Sequence, residues 1–197
     1  LIKGIDLSNY RFNLRNDFNN TIHILFVKAD YKRGGLFDLI DAISLIKTNE
    51  IKLTVIGPPN NKLNLIEKYA REMGLQNFEI KGPTHPNEVK KYLNSAEIFC
   101  VPSYKEALGV ANMEALASGL SVISTNTGGI PEVLDNGNCG WLVEPGNSMK
   151  LAEAINECIT NDALRLKKAE FGIKYVQQFD SKNLTRNFLN IIDDVKR

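Results

Sequence analysis

The sequence predicts an α/β domain built on a doubly wound parallel sheet with helices on both faces. Three observations predict it. Short apolar runs recur every ~20–30 residues, the spacing of strands joined by crossover helices. Between them, apolar residues return at i, i+3 and i+4, the period of a helix with one buried face. The runs are apolar throughout rather than alternating, as in strands covered on both sides.

The elements follow in order. Residues 21–27 form the first strand, broken by Gly34-Gly35 before a helix marked by Leu36, Leu39, Ile40, Ile43 and Ile46. A second strand at 52–56 closes on Gly57-Pro58-Pro59, and Leu63, Ile66, Tyr69, Ala70 and Met73 mark a helix stopped by Gly74. A short strand at 78–81 leads to a helix at 88–94, and a fourth strand at 97–101 ends at Pro102. A helix from about 109 to 118 stops at Gly119; a fifth strand covers 120–124. A turn and short helix at 128–134 precede a last strand at 140–143 and a helical tail.

Composition narrows the function. The 197 residues suffice for one sizeable core, and 24 basic against 23 acidic residues leave a net charge of +1. That balance lacks the basic stripe of a nucleic-acid binder. No apolar run approaches the ~20 residues needed to span a bilayer, and the first residues show no signal-peptide pattern. Cys100, Cys139 and Cys158 are widely spaced and suggest neither disulfides nor zinc, so a reducing compartment is expected. With only His23 and His85, a histidine-based metal site is not expected. The absence of Gly-x-Gly-x-x-Gly after the first strand argues against a dinucleotide-dependent dehydrogenase.

Open sheets bind ligands beyond the carboxyl ends of their strands, which directs attention to the loop after the fourth strand. It reads Pro102-Ser103-Tyr104-Lys105-Glu106-Ala107-Leu108-Gly109, and the following helix carries Glu114. The two glutamates lie eight positions apart, at most about 12 Å along a helix. That reach is comparable to the separation of a ribose from a sugar joined through a diphosphate. The helix start between them suits an anion, through its unpaired N–H groups and dipole. Backbone N–H groups of Leu108, Gly109 and Val110 would face the diphosphate; Glu114 would accept from ribose hydroxyls and Glu106 from hydroxyls of the transferred sugar.

These residues resemble a known family. Glu106 to Glu114 is similar to the Glu-x7-Glu signature of retaining family 4 glycosyltransferases, which have the GT-B fold. The run through Met113-Glu114-Ala115-Leu116-Ala117-Ser118-Gly119, then Gly128-Gly129-Ile130-Pro131-Glu132 and Gly140-Trp141-Leu142-Val143-Glu144-Pro145-Gly146, resembles it as well. So does Gly4-Ile5-Asp6. The resemblance implies a Rossmann-like C-terminal half: residues 1–20 an interdomain linker, 21–180 the donor-binding domain, and 181–197 a helix packing on an absent N-terminal domain. The apolar face expected for that packing is Leu184, Phe188, Ile191, Ile192 and Val195.

It further implies a UDP-, GDP- or ADP-sugar donor and a glycan or lipid-linked acceptor bound by the missing half. No cofactor and no metal are expected, since no Asp-x-Asp occurs. The setting implied is cytoplasmic, with peripheral association of the full enzyme at the inner face of a membrane. Arg33 matches a basic residue aimed at the donor phosphates, with Lys32 as fallback. A second arginine that the family often places just after the first strand is replaced by Ala29. Gly82 and Pro83 are expected to wall the base, and Gly128-Gly129 to line the pocket besides making a tight turn. His85 reads as a loop residue, while His23 and Trp141 read as structural.

Two other functions compete. A nucleotide-sugar epimerase on the same fold would want more acids or histidines in the cleft than are present. A binding-only regulatory module would draw on the missing cation at position 29.

Overall fold

The computed structural model describes residues 4–15, 18, 21–47 and 50–195; for residues 187 and 190–195 it describes the backbone alone. Six parallel strands, β1 (Ile22–Val27), β2 (Ile51–Ile56), β3 (Phe78–Ile80), β4 (Ile98–Val101), β5 (Ser121–Thr125) and β6 (Gly140–Val143), form one sheet. Their order is β3-β2-β1-β4-β5-β6. The chain winds outward from β1 to β3, returns to β4 beside β1, and winds the other way. Strand order therefore reverses between β1 and β4, where the crevice of a doubly wound sheet opens.

The central strands are buried on both faces. Ile24, Leu25 and Phe26 of β1 and Ile98, Phe99 and Cys100 of β4 have no exposed surface, which is why their runs lack polar alternation. The crossovers supply α1 (Leu36–Leu45), α2 (Leu63–Glu72), α3 (Pro86–Ser95), α4 (Val110–Ala117) and α5 (Ile130–Val133). The tail resolves into α6 (Ser148–Thr160), α7 (Asp162–Tyr175) and α8 (Ser181–Val195). Helix α1 packs against α6 and α4 against α7. Leu36, Leu39, Ile40 and Ile43, the stripe expected from periodicity, are the buried face of α1.

Several contacts bind the first segment to this core. Ile5 bridges Asp180, and the Ser181 N–H donates to the Ile5 carbonyl at 2.8 Å. The Tyr10 hydroxyl reaches Glu114, and the Arg15 guanidinium donates to the carbonyls of Leu93, Asn94, Ala96 and Ser118, where α3 and α4 end. A cation there also suits the negative ends of the helix dipoles. In α8, Phe188 and Leu189 are exposed, at 38% and 54%. Of the expected apolar face, Leu184 is half-buried, while the side chains of Ile191, Ile192 and Val195 lie outside the described residues. Among the described residues no helix is long and apolar enough to cross a membrane.

Candidate active site

A cleft of about 690 Å³ lies at the β1/β4 switch point. Its walls are Val27 at the end of β1 and Lys28 just beyond it, Val101 at the end of β4 and Ser103 beyond it, the loop 106–109, and the first turn of α4 through Asn112. The loop from Glu106 to Gly109 is thus where the sequence pattern expects it, beside a helix start. Gly109 holds φ +78°, in the left-handed region, and caps α4 without a side chain. A side chain at that position would be strained, and the helix would lose its open N-terminus.

Glu106 does not point freely into the cleft. Its Oε2 accepts from Lys28 Nζ at 2.5 Å, and Lys28 also donates to Ser103 Oγ at 3.2 Å. The Ala107 N–H donates to Glu106 Oε1 at 3.0 Å. Burial raises the carboxyl pKa, but Lys28 and the N–H groups of Ala107 and Gly109 outweigh it and hold the group below its ordinary value. The carboxylate is therefore ionised at neutral pH. It serves as a fixed acceptor rather than an acid.

Lys28 is the residue that sequence reading missed. It follows directly after β1, one position before the Ala29 that stands where the family often has an arginine, and it lines the cleft. Arg33 and Lys32, expected at the phosphates, are both exposed on the turn before α1. Arg33 is 73% exposed and pairs with Asp30 at 3.5 Å, and neither residue lines the cleft. The turn is nonetheless fixed to the site, since the Tyr104 N–H donates to the Arg33 carbonyl at 2.8 Å.

Glu114 lies one turn after Val110 on the same partly exposed face of α4, beyond the cleft lining. The Tyr10 hydroxyl donates to its Oε1 at 2.7 Å, a contact across 104 positions of sequence. The partner that a half-buried glutamate needs is thus a tyrosine of the first segment, not a cation.

Gly128 and Gly129 support the loop instead of lining the cleft. A Cβ on Gly128, whose φ is +56°, would stand 1.7 Å from the Glu106 carbonyl oxygen. The Gly129 N–H donates to the Ala107 carbonyl at 2.9 Å. The close approach of this turn sets the path of the Glu106 backbone. Gly82 and Pro83 lie after β3, outside the cleft lining; the Gly57 N–H donates to the Gly82 carbonyl at 3.2 Å, joining the loops after β2 and β3. His85 caps α3, its Nδ1 accepting from the Asn87 N–H, and Trp141 donates to Glu157 at 2.7 Å. Among the described residues no group of three or more His, Cys, Asp or Glu side chains is placed to hold a metal ion.

Such a strand order, with an anion-suited helix start and a cation–carboxylate pair at the switch point, defines a Rossmann-like ligand-binding domain. The chain belongs to the glycosyl transferases group 1 family, whose pattern matches residues 11–175. It is 34% identical over 155 residues to an uncharacterised glycosyltransferase of Methanocaldococcus jannaschii, covering 79% of this chain and 43% of that protein. It is 28% identical over 205 residues to WcaL of Salmonella typhimurium, a putative colanic acid biosynthesis glycosyltransferase, covering 98% of this chain and 50% of that one. The chain thus spans half or less of these relatives' length.

Solved glycosyltransferases share the fold. HepE of Anabaena, solved in complex with UDP-glucose, superposes with a TM-score of 0.84 at 19% identity, over 97% of this chain and 56% of that one. A C-terminal domain of a group 1 glycosyl transferase from Francisella tularensis gives 0.73 at 25% identity, over 89% of this chain and 97% of that one.

Proposed function

We propose that this chain is the donor-binding half of a retaining glycosyltransferase. It transfers a hexose-like sugar from a UDP-, GDP- or ADP-sugar to a glycan or lipid-linked acceptor, the acceptor being held by a further domain. The observation that carries this reading is the cleft at the β1/β4 switch point, where Lys28, Glu106 and the start of α4 converge. A diphosphate is the ligand group that a helix start and an ammonium suit together. The names of two relatives point the same way: WcaL is a putative colanic acid biosynthesis glycosyltransferase, and AmsK of Erwinia amylovora an amylovoran biosynthesis glycosyltransferase.

The chemistry follows from the charges. The donor's C–O bond breaks as negative charge grows on the leaving diphosphate, and an oxocarbenium-like sugar forms. The α4 N–H groups and Lys28 stabilise that charge in place, an electrostatic contribution. Glu106, ionised and fixed by Lys28 and Ala107, accepts from sugar hydroxyls and orients the ring. It is not required as a nucleophile; the departing diphosphate takes the acceptor's proton, and attack comes on the face it leaves. Positive charge supplied by the chain itself supports a metal-independent reaction. A cation at Lys28, in the cleft, weighs against the binding-only module that the loss at position 29 would favour.

Calorimetric titration with UDP-, GDP- and ADP-hexoses tests the reading. One of them is expected to bind, insensitively to EDTA, and Glu106→Ala is expected to weaken it about tenfold. Saturable binding to none of them, or a Glu106→Ala variant indistinguishable from the parent, would remove the assignment.

A further inference from the structure

We infer that the Asn112 carboxamide contacts the transferred sugar of the donor. The inference rests on the donor-binding reading above and adds a residue that the glutamate spacing does not identify. Asn112 occupies the first turn of α4 and lines the cleft with Lys28, Ser103 and Glu106. The residue is only 3% exposed, and its Oδ1 is buried with no hydrogen-bond partner among the described residues. Gly109 leaves the room it occupies, since a Cβ there would stand 2.7 Å from Asn112 Nδ2.

An orphaned buried amide is costly, by about 1–3 kcal/mol. Its neighbours on the helix, Met113, Ala115 and Leu116, are buried and apolar, and a leucine would suit the position and the helix better. Such a group persists without a protein partner when its partner arrives with a ligand. Asn112 lines the cleft, so a ligand seated there lies beside it.

The kind of partner follows from the atom left unpaired. Oδ1 is an acceptor, so the ligand must donate; diphosphate oxygens carry no proton at neutral pH, whereas sugar hydroxyls do. The carboxamide turns readily about its broad terminal torsion, which brings either polar atom toward Gly109. A hydroxyl can meet either one, donating to oxygen or accepting from nitrogen. Beside the Glu106 carboxylate, a neutral amide gives the sugar pocket a second point of recognition with a different donor and acceptor pattern.

The test compares this chain with its Asn112→Leu variant, by calorimetry with the nucleotide-hexose that the parent binds and with the matching nucleoside diphosphate, alongside thermal melts. Affinity for the nucleotide-hexose is expected to fall about 5- to 10-fold, with that for the diphosphate unchanged and the melting temperature equal or higher. Asn112→Ala should show the same selective loss, and stands in if the leucine variant does not fold. Equal losses for both ligands, or affinity unchanged with a lower melting temperature, would overturn the inference while leaving the donor-binding reading in place. A parent chain that binds no nucleotide-hexose overturns both.

Discussion

Lys28 and Glu106 meet at 2.5 Å across the line where strand order reverses. One directly follows β1, the other lies in the loop after β4, and 78 positions separate them in sequence. Neither side chain is more than a quarter exposed, so water screens the pair only in part. The contact fixes the carboxylate, keeps it ionised, and places an ammonium where the donor's leaving group would depart.

Replacing Lys28 by methionine is expected to remove that arrangement. The stem still packs, but Glu106 loses its counter-charge, at a cost of about 1–2 kcal/mol at neutral pH, between the values for exposed and buried pairs. The folded Glu106 pKa is depressed below 4.5, so the pair's stabilisation is present above that value and is lost as pH falls through the folded-state value. Thermal melts should show a gap between parent and variant at pH 7 that narrows at pH 3. A gap independent of pH would contradict the assignment.

Tyr10→Phe deletes one hydroxyl and leaves the ring. Burial and the Glu114 carboxylate raise the Tyr10 pKa well above its ordinary value, so the hydroxyl stays protonated and remains a donor throughout the working range. Its loss should cost about 1 kcal/mol of stability. If Glu114 holds the ribose, donor affinity should fall several-fold as its carboxylate loses orientation. Calorimetry on the variant measures this.

Gly128→Ala is expected to be severe. The added Cβ would overlap the Glu106 carbonyl, at a backbone φ that disfavours any side chain. Strain and overpacking together predict a loss of about 3 kcal/mol or more, with weakened donor binding because the displaced backbone is that of the Glu106 loop. A melt close to that of the parent would show that the turn does not support the loop.

His23 links stability to mild acid. Burial, then Lys52, lowers its pKa below 6.5, and its ring bonds Thr54 Oγ1 at 2.8 Å. The neutral ring's contribution is full above 6.5 and is lost as pH falls below it, through the folded-state value. Denaturant midpoints between pH 7 and 5 should therefore decline less steeply for His23→Gln than for the parent.

The fold was legible because its signals are local. Buried parallel strands such as β1 and β4 announce themselves as unbroken apolar runs, and α1 shows its buried stripe through period alone. The Glu106 loop was legible for the same reason, as a glycine and a helix start following a strand. What could not be read depends on contacts between distant segments. The aim of Lys28 follows from where β1 ends, and the exposure of Arg33 from its turn and from Asp30. Tyr10 meets Glu114 only once the first segment is folded onto α4. Asn112 was hidden by its apolar neighbours, among which an asparagine looks like an ordinary helix residue.

A crystal structure of this chain with its nucleotide-hexose bound tests the central claim most directly. The diphosphate is expected at the start of α4, with oxygens within hydrogen-bond reach of the Gly109 and Val110 N–H groups and of Lys28 Nζ, and the hexose against Glu106. Density for the nucleotide-sugar at any other place, with the Lys28–Glu106 cleft holding only solvent, would contradict the account.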